Sequence, residues 1–497
     1  MINTVKRVLP FILLLLVSCP SQSQQGEVKS RPEEVKSRQR EIIARLERDI
    51  PQLLEKADVP GMSIALIQNG ELVWAGAFGV SNADTKKPVT NNTVFEAASL
   101  SKPVFAYAVL KLVDEGRLNL DTPLNKYLGN NYDVVNDERI NQITARRVLS
   151  HTSGFPNWRD NDGTKTLLIH FTPGEKFSYS GEGMVYLSKV VEKITSMRFE
   201  AFMQKYALQP LGMTASSYIW RNRYDSLKAY RHDLLGKLSG RNQPADGKED
   251  TLQDDGNAAA SLQTTPTDYA KFVIAVLNGT GLTKATLKQM MTPQINVDEK
   301  YPPLAWGLGV GLETMPEGKY FWHWGDNGDA KAYVTAFLPD KDAVVYFADG
   351  SNGLSFTKEI LADAVGGEHP ALAHLDYDRY NSANRQLVKS TIANGATAAL
   401  KEYRAQRSTS GQMVSESKMN ELGYLLLQMK KIDEALEVFT QNTEDFPQSW
   451  NVWDSLAEAY MDKGDKERAI KYYEKSVQLN PANTNRANQL KKLKQGT

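Results

Sequence analysis

Ser99 and Lys102 stand three residues apart in FEAASLSKPVFAYAVLKLVDEG, residues 95–116. A serine becomes a nucleophile beside a base, and a lysine can be that base once desolvation or a neighbour lowers its pKa. Spacing of i and i+3 at the opening of a helix stacks the ammonium beside the hydroxyl. Pro103 suits the first turn, where its missing N–H costs little. The helix N-terminus adds a positive field that favours a developing oxyanion. Alone, Ser-x-x-Lys is a weak signal. Two later stretches add candidates: Tyr179 in FTPGEKFSYSGEG (171–183), and His323-Trp324-Gly325 in a strand-like run.

Competing chemistries have less behind them. No G-x-S-x-G elbow occurs, so His151 in LSHTSG lacks the usual partner of a hydrolase triad. His369 and His374 are five apart, and no H-E-x-x-H occurs, so no metal site is expected. WGLGVG lacks G-x-G-x-x-G spacing and reads as an edge strand with bulges, so no cofactor is expected either.

The elements that must position these residues follow from periodicity. MSIALIQ (62–68) and LVWAGAFGV (72–80) flank Asn69-Gly70, a type I′ hairpin signal. Stretches 306–313, 319–325, 332–339 and 343–349 are rich in aromatic and branched residues and read as strands. Amphipathic patterns predict helices at 39–57, 101–115, 184–195 and 267–278. Strands at both ends with helices between them predict an α+β domain, one antiparallel sheet carrying an inserted helical region. In SGEGM the helix begins, with Ser178 or Ser180 as its N-cap.

Ser-x-x-Lys, then Tyr-Ser-x, then His-x-Gly resembles the serine β-lactamase and penicillin-binding-protein family, in its class C-like branch of lactamases, D-alanyl-D-alanine carboxypeptidases, D-aminopeptidases and esterases. VLSHTSGFPNW (148–158), LQPLGMTASSY (208–218) and HWGDNGDAKAYVTAFLP (323–339) resemble that family's linking segments. The resemblance implies Ser99 as the nucleophile of an acyl-enzyme. It gives Lys102 and Tyr179 the proton work, Tyr179 as phenolate or as relay, and leaves His151 in a structural turn. It implies an oxyanion hole of the Ser99 and Asp326 backbone amides, and substrate contacts from His323, Trp324 and Gly325. Two departures stand out. His323 replaces the lysine that binds a lactam carboxylate, and Gly181 replaces the asparagine of Tyr-Ser-Asn. The glycine is expected to enlarge the pocket, with Glu182 reaching towards Lys102 in compensation. Both changes point to ester or peptide substrates over efficient β-lactam turnover.

A 34-residue self-similarity marks the C-terminus: Trp453, Leu456, Ala457, Tyr460, Ala469, Tyr473 and Pro481 repeat the pattern of Met419, Leu422, Gly423, Leu426, Ala435, Phe439 and Pro447. The spacing resembles tetratricopeptide repeats. Copies are expected at about 416–449 and 450–483, with helical caps at 384–405 and 484–495. Such repeats suit a protein partner, or a structural appendage packed on the preceding domain.

At the other end, Lys6 and Arg7 precede the apolar run VLPFILLLLV (8–17), too short to span a bilayer. Leu16-Val17-Ser18-Cys19 resembles the bacterial lipobox, and Cys19 is the only cysteine among 497 residues. The expected division is a lipoprotein signal at 1–19, a polar tether at 20–38, a hydrolase domain at 39–367, a linker at 368–383 and a repeat region at 384–497. Lys+Arg and Asp+Glu are both 59, which with no basic stripe argues against nucleic acid. The expected protein is a lipid-anchored serine hydrolase of the bacterial cell envelope, acting on a small molecule or peptide. The alternatives are an inactive penicillin-recognition scaffold and a true β-lactamase.

Overall fold

Asn69 and Gly70 both take positive φ, 52° and 74°, as a type I′ turn demands. They join β1 (Gly61–Gln68) to β2 (Glu71–Asn82). The computed structural model containing this hairpin describes residues 32–159, 165–239, 256–482 and 484–495. Cys19, the apolar run before it and the first part of the tether lie outside the described residues.

β3 (Lys87–Pro88) follows, and β4 (Phe95–Glu96) pairs separately with β5 (Gln263–Thr264). The late strands are β6 (Ile295–Asn296), β7 (Leu304–Trp306), β8 (Gly311–Met315), β9 (Gly318–Asp326), β10 (Lys331–Phe337) and β11 (Asp342–Ala348). Nine strands form one antiparallel sheet in the order β3-β2-β1-β11-β10-β9-β8-β7-β6. Its centre joins the two ends of the domain, with Ile64 opposite Tyr346. The α+β expectation holds.

The stretch 306–313 is not the single strand its composition suggests. Residues 307–310 turn between β7 and β8, with the Gly307 N–H donating to the Val310 carbonyl at 2.8 Å. A Cβ at Gly309 would lie 2.2 Å from the Ala106 Cβ. Glycine therefore serves close packing against the helix that follows Ser99, and the edge-strand reading fails there.

That helix, Ser101–Asp114, is buried at every residue from Ser101 to Leu110. A helix apolar on all sides belongs at the centre of a core, and here it lies between the sheet and the other helices. Phe105 meets Phe199 at 5.7 Å between ring centroids, while Tyr107 meets Phe272 on the Pro266–Asn278 helix at 5.9 Å. The helix expected over 39–57 spans Pro32–Ala57, so it begins within the stretch expected to be a polar tether, and it buries Leu46, Ile50, Leu53 and Leu54.

Both expected repeats form helix pairs: Glu416–Gln428 with Ile432–Asp445, and Trp450–Lys463 with Lys466–Leu479. A Cβ at Gly423 would come 2.5 Å from the Phe439 ring, so the glycine lets paired helices approach. The stretch 384–405 is not one capping helix. Gly395, at φ 84°, divides it into Ala383–Asn394 and Ala396–Ser410, which pack as a hairpin of their own. Thr484–Gln495 closes the array. The first of these helices is fastened to the hydrolase domain: Arg385 Nη2 donates to the Leu234 carbonyl at 2.8 Å, and Lys389 Nζ to the Lys56 carbonyl at 2.8 Å. Leu234 and Leu235 pack into the repeat core.

Candidate active site

Ser99 sits in a single 3-10 turn, Ala98–Leu100, that leads into the buried helix. Ala98 holds φ 48°, a left-handed conformation that costs a residue with a Cβ of order 1–3 kcal/mol. The turn leaves Ser99 partly exposed while Lys102 is wholly buried. Lys102 Nζ lies 3.0 Å from Ser99 Oγ and donates to the Ala259 carbonyl at 2.8 Å. It also lies 4.7 Å from the centroid of the Tyr179 ring. No carboxylate is among these contacts. Burial lowers Lys102 to about 7.

Tyr179 reaches the site because the Gly181–Thr195 helix begins two residues later. Ser180 is its N-cap, accepting from the Gly183 N–H at 3.0 Å, so Ser178 is not the cap. Asn157 finishes the job: its carbonyl accepts from the Gly181 and Glu182 amides at 3.0 and 3.1 Å, and its Oδ1 from Gly181 at 3.0 Å. Burial pushes the Tyr179 phenol well above its ordinary range, opposed by the hydrogen bond it shares with Ser99. That shift favours the protonated phenol over the phenolate.

His323 lies at the far side of Tyr179, with Nε2 3.5 Å from the hydroxyl and Nδ1 2.7 Å from the Trp324 carbonyl. A carbonyl only accepts, so Nδ1 carries the proton and Nε2 offers a lone pair to the tyrosine. Burial, then the nearby Lys102, bring His323 down to about 3. A neutral imidazole thus stands where the resemblance has a lysine. Trp324 packs on Tyr179 at 4.7 Å between ring centroids. His151 packs on the same ring at 4.2 Å, and its Nδ1 accepts from the Ser180 N–H at 3.0 Å. It supports the tyrosine from below and does not serve Ser99.

β9 brings the remaining backbone. β8 begins at Gly311, opposite Trp322, so from His323 onward one edge of β9 has no strand partner. That edge meets the nucleophile turn: a Cβ at Gly325 would lie 2.4 Å from the Ala97 carbonyl oxygen and 3.3 Å from the Ala98 Cβ. Asp326, next along, has its carboxylate tied to Lys331 Nζ at 2.5 Å and to the Tyr377 hydroxyl at 2.6 Å.

Two expectations fail here. Glu182 does not reach Lys102; it pairs with Arg159 at 2.6 Å and also accepts from the Arg159 N–H at 3.2 Å. The Ala259 carbonyl holds the lysine instead. Nor does Gly181 open the pocket, because a Cβ there would lie 2.8 Å from the Trp158 ring and 2.9 Å from the Asn157 carbonyl. The place of the absent side chain is occupied. Nothing in the periodicity or spacing marks Asn157, Trp158 or Ala259, whose contributions come through backbone carbonyls and one indole.

Among the described residues no cluster of three His, Cys, Asp or Glu side chains could hold a metal ion. His369 and His374 go to separate carboxylates, Glu313 at 2.9 Å and Asp298 at 3.1 Å.

The arrangement has counterparts. The tetratricopeptide repeat model matches residues 450–483. Protein flp of Staphylococcus aureus (strain N315) is 28% identical over 264 residues, covering 49% of this chain and 51% of flp. The chain therefore spans about half the length of that relative. Penicillin-binding protein 4* of Bacillus subtilis (strain 168) is 24% identical over 342 residues, covering 62% of this chain and 72% of the relative. Among solved structures, an octameric penicillin-binding protein homologue from Pyrococcus abyssi superposes with a TM-score of 0.55 at 24% identity, covering 70% of this chain and 81% of its own. A class C beta-lactamase does so with a TM-score of 0.55 at 20% identity, covering 66% and 97%. These two likenesses concern the fold. The Beta-lactamase family model matches residues 46–365, well over half of the sequence. With its antiparallel sheet, inserted helices and Ser99–Lys102 pair, the chain belongs to the beta-lactamase family.

Proposed function

We propose that the protein is a serine hydrolase that cleaves an ester or amide through an acyl-Ser99 intermediate. The observation that carries this reading is Lys102 Nζ, fully buried, 3.0 Å from Ser99 Oγ and, among the described residues, without a carboxylate partner. A neutral amine at that distance takes the hydroxyl proton as Ser99 Oγ attacks the carbonyl carbon. Charge develops on the carbonyl oxygen, and the Ser99 and Asp326 amides would receive it. Tyr179, kept protonated by burial, then gives its proton to the leaving group while taking one from Lys102. The C–O or C–N bond breaks, and water repeats the sequence to release the acid.

The neutral His323 offers no charge to a lactam carboxylate, which favours esterase or D-amino-acid peptidase substrates over efficient β-lactam hydrolysis. Cys19 and the apolar run before it support secretion and lipid attachment in the bacterial cell envelope, and the repeats support a protein partner.

The test is covalent labelling. A fluorophosphonate should add its mass to the wild type and not to Ser99→Ala. Absence of adduct under conditions that label a control hydrolase would falsify the enzymatic reading and leave the scaffold alternative. Turnover of p-nitrophenyl esters, D-amino-acid amides and a chromogenic cephalosporin ranks the substrates, with the cephalosporin expected to be poorest.

A further inference from the structure

The segment expected to act as a linker between hydrolase and repeats is fixed onto the hydrolase domain. After the short helix Pro370–Leu375, Asp376 takes φ 50° and turns the chain. Arg379 then pairs with Glu359, Asn384 Nδ2 donates to Asp378 Oδ2 at 2.6 Å, and Arg385 pairs with Asp58. Just before these anchors, Tyr377 points its hydroxyl at Asp326 Oδ2, 2.6 Å away, with Lys331 Nζ 5.4 Å from its ring centroid. Tyr377 lies beyond the family match, which ends at 365.

We infer that Tyr377 is a positioning residue of the acyl-transfer site, supplied by the segment that leads into the repeats. Its hydroxyl holds Asp326 on β9, whose backbone amide would stabilise the oxyanion. Lys331 neutralises the Asp326 carboxylate on its other oxygen, at 2.5 Å. The phenol thus completes a fixed cluster of Lys331, Asp326 and Tyr377 at the end of the strand facing Ser99. Without that hydroxyl, Asp326 keeps its lysine but loses its second restraint. A placement error of an ångström or less at an oxyanion donor slows chemistry far more than it weakens binding.

This inference rests on the acyl-transfer reading above. Its test compares full-length wild type, Tyr377→Phe and Arg379→Ala in saturation kinetics of fluorophosphonate acylation, alongside thermal unfolding. Arg379→Ala disturbs the same segment without touching the cluster. The expected result is a fall of about tenfold in the maximal acylation rate of Tyr377→Phe, with half-saturation shifted less than about twofold. Its unfolding midpoint should stay close to the wild type, and Arg379→Ala should acylate normally. Wild-type acylation by Tyr377→Phe overturns the inference alone. So does a parallel loss in both variants that tracks their unfolding midpoints, since that marks a purely structural role. A wild type that never acylates overturns the acyl-transfer reading and this inference with it.

Discussion

The Ala259 carbonyl oxygen lies 2.8 Å from Lys102 Nζ and, among the described residues, is the lysine's one protein acceptor besides Ser99. A carbonyl orients an amine without supplying the negative charge that would keep it protonated. Held this way and fully buried, Lys102 falls from 10.5 to about 7.

The activity should therefore rise with pH. Below about 7 the amine is charged and cannot accept the Ser99 proton; above it the base is free. A pH–rate profile of kcat/KM on an ester should show an ascending limb centred near that value. A profile flat across the neutral range contradicts the assignment. Lys102→Arg, charged at all accessible pH, should lose about 100-fold or more. The same shift has a sign for stability. Between about 7 and 10.5 the unfolded lysine binds a proton that the folded one does not, so this residue makes the fold more stable as pH rises through that window.

Gly325 is a second sensitive point. Its Cα faces the Ala97 carbonyl so closely that a methyl group would sit 2.4 Å from the oxygen. Gly325→Ala should push β9 away from the nucleophile turn, costing about 1–3 kcal/mol of stability. Labelling of Ser99 should slow by about 100-fold. Thermal unfolding and adduct formation on one preparation measure both. A variant with unchanged labelling would show that the strand and turn need no such proximity.

Restoring the family asparagine should not restore lactamase chemistry. Gly181→Asn would drive a Cβ into Trp158 at 2.8 Å and the Asn157 carbonyl at 2.9 Å, destabilising the fold by about 1–3 kcal/mol. Chromogenic cephalosporin turnover should not improve. An increase in turnover would mean that the indole and the Asn157 loop move aside readily.

Local signals in the sequence were faithful where a residue's own neighbours decide its conformation. Asn69-Gly70 needed only two positive φ angles, and the helices at 184 and 267 needed only one apolar stripe each. The site was legible in Ser99, Lys102 and Tyr179 because the side chains themselves carry the chemistry. It was illegible where the backbone does the work: the Ala259 carbonyl that orients Lys102, and the Asn157 carbonyl that starts the Tyr179 helix. Any residue type presents such a carbonyl. WGLGVG misled for a related reason, since Gly309 answers to Ala106 two hundred residues earlier, Gly307 to the Met290 carbonyl and Gly311 to the Trp322 ring, and not to each other. Glu182 misled because Arg159 was the nearer charge once the chain folded.

The pairing of Ile64 with Tyr346 also sets an order of events in biosynthesis. The first hairpin of the sheet is made early, yet the strand that covers its inner edge, residues 342–348, is among the last of the domain to be made. Contacts so distant along the chain close slowly, and an open strand edge invites association with other chains. A nascent chain halted before residue 342 holds the nucleophile, the lysine and the tyrosine but cannot close the sheet that aligns them. Premature termination should thus yield aggregating fragments and no partly active enzyme, and solubility of such truncations would show it.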